Sequence, residues 1–110
     1  MFYNLTGYQN FYNNNVNKTI PMIILELISF LNNQGHKATN YYSVTKENVS
    51  YLVITFENIN VITDFINRTN NESLIIFSRD HVMIYNNQYI IELNKLLQFT
   101  NLLKECYMEL

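Results

Sequence analysis

The stretch Tyr51-Leu52-Val53-Ile54-Thr55-Phe56 constrains the fold of this chain more than any other. Successive side chains of a strand point to opposite faces, so Leu52, Ile54 and Phe56 share one face and Tyr51, Val53 and Thr55 the other. Both sets are largely apolar. A strand of this kind, read here as Ser50 to Glu57, is expected inside a sheet with both faces covered. The rest of the chain has to supply neighbouring strands and covering layers.

With 110 residues, 48% hydrophobic and 15% charged, the chain suits one domain spanning residues 1–110 around a single core. Upstream of the central strand, Ala38 to Val44 reads as a second strand, joined to it by the polar connection Thr45 to Val49. Before that, Thr19 is placed to cap a helix over Ile20 to Gln34. Pro21 sits in its first turn and Gly35 in the left-handed position after its last. The apolar residues of this helix run almost all round it, which predicts either a central helix or one whose outer side meets another chain.

Downstream, Asn58 is placed to cap a helix carrying Ile59, Ile62, Phe65 and Ile66 on one side and ending in the polar run Arg68 to Glu72. Leu74 to Phe77, Val82 to Tyr85 and Tyr89 to Leu93 read as short strands of a meander, separated by Ser78 to His81 and Asn86 to Gln88. Asn94 then fits the cap of a last amphipathic helix with Leu96, Phe99, Leu103 and Cys106 inward. The expected class is α+β: a mostly antiparallel sheet of about five strands with three helices, in the order arm-α-β-β-α-β-β-β-α. The arm is residues 1–19, which mix Phe2, Tyr3, Tyr8, Phe11 and Tyr12 with asparagines and keep neither helical nor strand period.

Charge and composition narrow the function. Net charge is -2, and the seven basic residues are scattered, whereas nucleic-acid binding calls for concentrated positive charge. Cys106 is the only cysteine, which excludes an internal disulfide and a cysteine-based zinc site within one chain. Two histidines without ligand spacing and two distant glycines, Gly7 and Gly35, give no metal motif and no phosphate loop. Ile20 to Leu31 is too short and interrupted to span a bilayer. The start of the chain lacks the pattern of a secretory signal, so a cytoplasmic location is expected and the five sequons are read as chance. The 19 asparagines and 9 tyrosines fit an AT-rich genome, as in many viruses and phages.

Ser78-Arg79-Asp80-His81 is the one cluster of catalytic residue types, but neighbours in a turn diverge and an Asp-containing turn with solvated charges is expected; if the turn has a function, it is contact with a partner by Arg79 and His81. Tyr41 and Tyr42 fall on opposite faces of their strand, one toward the core and one exposed. Exposed rings there and at Tyr8, Phe11 and Tyr12 supply contact area at small entropic cost. The sequence therefore assigns no catalytic residue, metal or cofactor. It predicts a noncatalytic protein-binding module that self-associates through its first helix, one form of which is a small viral or phage protein engaging a host factor. The alternatives are a small enzyme assembled from distant residues, with His36, His81, Cys106 or Glu26 as candidates, and a single-stranded nucleic-acid binder that stacks bases on exposed aromatics.

Overall fold

A computed structural model describes residues 18–108. Of the expected arm only Lys18 and Thr19 fall within them, so Tyr8, Phe11 and Tyr12 lie outside the described residues. The fold is α+β. A four-stranded antiparallel sheet of order β1-β2-β4-β3 is built from β1 (Ala38–Lys46), β2 (Val49–Phe56), β3 (Val82–Tyr85) and β4 (Gln88–Glu92). Four helices accompany it: α1 (Ile20–Asn33), α2 (Ile59–Arg68), α3 (Glu72–His81) and α4 (Leu96–Met108), the last entered through a 3-10 turn at Leu93–Lys95.

The first helix has the ends its sequence prescribes. The Thr19 hydroxyl accepts the Met22 N–H at 3.4 Å, and Pro21 needs no partner for the donor it lacks. At the other end Gly35 has φ 87, the His36 N–H donates to the Leu31 carbonyl at 2.9 Å, and the Gly35 N–H to that of Asn32 at 3.1 Å. These two bonds form a Schellman closure, which satisfies two orphan carbonyls and turns the chain back under the helix. His36 is the residue that this turn buries.

Both hairpins close with two residues. Glu47 and Asn48 (φ 52 and 69) join β1 to β2, and Asn86 and Asn87 (φ 51 and 64) join β3 to β4. Positive φ at both central positions is the type I′ requirement, whose twist matches that of paired strands. Three of these four residues are asparagine, the side chain other than glycine that best tolerates the left-handed region.

The run Leu74 to Phe77 is helical rather than extended. Asn71 caps α3 by accepting the Leu74 N–H at 3.0 Å, and Leu74 and Phe77, three apart, are buried on one side of the helix while Ile76 stays exposed. A four-residue apolar run has no period long enough to separate strand from helix, and here the cap decides. Ser78 to His81 is accordingly the last turn of α3 and not a hairpin loop, which gives four strands and four helices where five and three were expected. Asn94 sits inside the 3-10 turn instead of capping α4.

One core joins the helices to the sheet: Ile23, Leu27 and Leu31 of α1, Ile62 of α2, Leu74 of α3 and Leu96, Phe99 and Leu103 of α4 meet Leu52, Ile54 and Phe56 of β2 and Tyr89 and Ile91 of β4. All of these strand residues belong to one face, so the helices form a single layer. β2 is internal, as expected. Its second face, expected to be covered, has no described element packed on it.

Candidate functional site

The register of the sheet brings together residues from four strands on that second face. Tyr42 pairs with Val53, Val53 with Ile90, and Ile90 with Met83, giving an unbroken apolar row across the sheet. Beside it run Val44 and Tyr51, ending at Glu92, and on the other side Thr55, Gln88 and Tyr85. A groove of about 490 Å³ follows the face, with Tyr42, Val44, Tyr51, Val53, Met83 and Ile90 on its walls and Lys46 and Glu47 at the β1–β2 turn.

Burial within this row is graded. Val53 is only 5% exposed, screened by its larger cross-strand neighbours, whereas Tyr42 is 45% and Met83 59% exposed. Tyr85 beyond them is 64% exposed. β1 borders the face as an edge strand, exposed from Thr39 to Lys46. A register shift near Thr39 and a lysine at Lys46 guard its ends, while the backbone between them faces no described strand. An apolar face beside a free strand edge can take up a partner by side-chain packing and by main-chain pairing together.

The residues expected to contact a partner do not gather at one place. Tyr42 lies on the open face. Tyr41 pairs with Ile54 and so points to the helix side, but at the sheet's edge beyond the helix layer, and is 39% exposed, not buried in the core. Arg79 and His81 are on α3 within the helix layer. Arg79 pairs with Asp80 at 3.3 Å and borders a separate cavity of about 340 Å³ with Thr63, Ser78 and Tyr89, and the His81 ring packs on Phe77 at 4.9 Å. Val53, Ile90 and Met83 carried no assignment from sequence. The signal for Val53 was the second apolar set of β2, read as requiring a cover, and Ile90 and Met83 join it only through the register of the sheet.

The four residues considered for catalysis form no bond to one another among the described residues. Burial would raise the Glu26 carboxyl pKa, but hydrogen bonds and charge from Lys104 and Lys18 prevail and hold it below the usual carboxylate value. Lys18 lies 2.8 Å from Glu26, and Lys104 bonds its other oxygen. Cys106 is buried, and its sulfur accepts the Thr69 hydroxyl at 3.5 Å. His36, 3% exposed, shares a hydrogen bond between Nε2 and the Tyr107 hydroxyl, while Nδ1 has no partner among the described residues. Phe65 stacks on Tyr107 with ring centroids 4.4 Å apart, and burial pushes the Tyr107 hydroxyl up to about 12. Burial also lowers the His36 pKa. This is an aromatic cluster tying α1, α2 and α4 together, and neither His36 nor Cys106 borders any of the three cavities described. Among the described residues no group of three His, Cys, Asp or Glu side chains is placed to hold a metal, and no helix is long and apolar enough to cross a membrane. No protein-family model matches the sequence, and neither curated proteins nor solved structures provide a match.

Proposed function

We propose that this chain is a noncatalytic protein-binding module whose docking surface is the open face of the sheet. The observation that carries the reading is the row Tyr42, Val53, Ile90 and Met83, drawn from four strands and left without a described covering element. Taking about 4.8 Å per strand and 3.3 Å per residue, four strands of about five residues cover on the order of 300 Å². That is the size of the largest apolar patch of an ordinary monomer, a patch that is often functional. The free β1 edge would let an extended partner segment add to the sheet while its side chains enter the groove. The partner class is protein, at a cytoplasmic location, and a host factor where the chain is a viral or phage product.

Self-association belongs to the same reading. On α1 the exposed Met22 and Leu25, three residues apart on one side of the helix, form a second apolar patch. The test sets the two surfaces against each other. Tagged full-length protein is incubated at physiological salt with lysate of the cell in which it occurs, alongside a Tyr42→Glu, Met83→Glu variant and a Met22→Glu, Leu25→Glu variant. A stoichiometric partner lost from the first variant and kept by the second is expected. Retention by both variants, or loss only from the second, would sink the assignment to the sheet.

A further inference from the structure

We propose that the cleft between α2, α3 and the β3 edge binds a small organic carboxylate with an apolar body, held by Arg79 and the hydroxyls beside it. This site is separate from the open face of the sheet and does not rest on the reading of that face.

Three periodicities assemble the cleft. Thr63, Ile66 and Asn67 stand at positions i, i+3 and i+4 of α2, and Ile75, Ser78 and Arg79 repeat that spacing on α3, so each trio forms one side of its helix. Val82 and Ile84, two apart on the edge strand β3, share the helix-side face, and Ile84 pairs with Tyr89 of β4. Two helix stripes and a strand edge thus enclose about 340 Å³, at the lower end of the size of small-molecule sites.

The lining has the composition of such a site. Ile66, Ile75, Val82 and Ile84 give apolar walls. Thr63, Asn67, Ser78 and Tyr89 add uncharged polar groups, Arg79 is the lining's cation, and no carboxylate of a described residue borders the cleft. The Thr63 and Tyr89 hydroxyls share a hydrogen bond at 3.3 Å, which fixes one polar wall. Ser78 Oγ is buried and has no partner among the described residues. A buried hydroxyl without a partner is costly, and a cavity with this many polar groups holds water or a ligand, whereas empty cavities are apolar.

The geometry of Arg79 selects the ligand's charge. Its Nε donates to Asp80 at 3.3 Å, which leaves the Nη end of the guanidinium for the fork that matches a carboxylate. Asp80 offsets part of the Arg79 charge, so one negative charge on the ligand is matched and a second is not. A phosphate monoester carries close to two charges at neutral pH, and no second cation of a described residue lines the cleft to meet them. The four aliphatic walls require that the carboxylate be attached to a hydrocarbon body.

The test titrates labelled full-length protein at neutral pH with 4-phenylbutanoate, 4-phenylbutanamide and inorganic phosphate, and follows backbone amide shifts by NMR. Saturable shifts at Asn67, Ser78, Arg79 and Ile84 are expected with the carboxylate. The amide lacks the charge and phosphate lacks the apolar body, and each should bind about fivefold more weakly or worse. Arg79→Gln alters a side chain that is already 70% exposed, so the fold should persist while carboxylate binding weakens about fivefold or more. The Tyr42→Glu, Met83→Glu variant should bind the carboxylate as the wild type does. Absence of saturable shifts at these residues overturns the inference, and so does phosphate binding as tight as that of the carboxylate. Equal binding of carboxylate and amide, or affinity unchanged by Arg79→Gln, would reduce the cleft to a gap in helix packing. None of these results bears on capture of a protein by the open face, which the lysate experiment decides separately.

Discussion

His36 makes the stability of this protein depend on pH in a defined window, and its replacement removes that dependence. The ring is 3% exposed, its Nε2 is committed to Tyr107, and its Nδ1 has no partner among the described residues. The faces around it are the aromatic rings of Phe65 and Tyr107. Protonation would place an N–H on both nitrogens and leave one of them buried without an acceptor, besides desolvating a cation. Burial accordingly depresses its folded pKa below the ordinary 6.5. In the unfolded chain the same ring titrates near its ordinary value.

The unfolded state therefore binds more protons than the folded state as pH falls below about 6.5, and stability must fall with it. One such proton changes stability by at most about 1.4 kcal/mol per pH unit, and the total from about pH 7.5 to pH 5.5 is up to about 1.4 kcal/mol. Urea unfolding followed by far-UV circular dichroism across this range, for wild type and His36→Gln, measures it. The variant is expected to be less stable throughout, because ring packing is lost, yet flat over the window in which the wild type declines. An equal decline in both proteins would refute the argument and place the titrating group elsewhere.

Two further outcomes follow from the ion pairs and the turns. Glu26 titrates below its ordinary 4.5 because Lys104 and Lys18 outweigh its burial, so its contribution is present above that value and is lost as pH falls through the folded pKa. Lys104→Met should raise the Glu26 pKa, seen in a carboxyl NMR titration, and cost about 1 kcal/mol; an unmoved titration would show that Lys18 alone suffices. Glu47 holds φ 52 in a type I′ turn, a conformation that favours asparagine or glycine. Glu47→Asn should stabilise by roughly 0.5–1 kcal/mol in denaturant unfolding, and a loss of stability would mean that the Glu47 side chain has a role beyond the turn.

What was legible in the sequence is what local chemistry decides. Thr19, Pro21 and Gly35 bounded α1 because each meets a need of a helix end that no tertiary contact can override cheaply. Asn58 did the same for α2. Asn71 would have done so for α3, but it stood in a polar run read as loop, and the four apolar residues after it were too few to show a period. The asparagines, attributed to base composition, are also structural here. Asn58 and Asn71 cap helices, and Asn48, Asn86 and Asn87 hold left-handed turn positions in a chain that has 2 glycines. The aromatic cluster of His36, Phe65 and Tyr107 was not legible, because it joins residues up to 71 positions apart. Only the packing of three helices brings them together.

The second face of β2 shows why an inference from apolar pattern has to name what provides the cover. Val53 is apolar and buried, as its sequence context predicts, yet it stands outside the core formed with the helices. Its burial comes from its cross-strand neighbours Tyr42 and Ile90, of which Tyr42 is itself about half exposed, as is Met83 beyond Ile90. Cross-strand packing thus hides the centre of the row and leaves its margins wet. A sheet meant to face water would alternate polar residues along this face, as antiparallel sheets with one solvated side do. This face holds to that pattern at Asn40, Lys46, Thr55, Gln88 and Glu92, toward the ends of the paired strands. With no described element packed over it, the apolar middle is the surface that the Tyr42→Glu, Met83→Glu variant puts to the test.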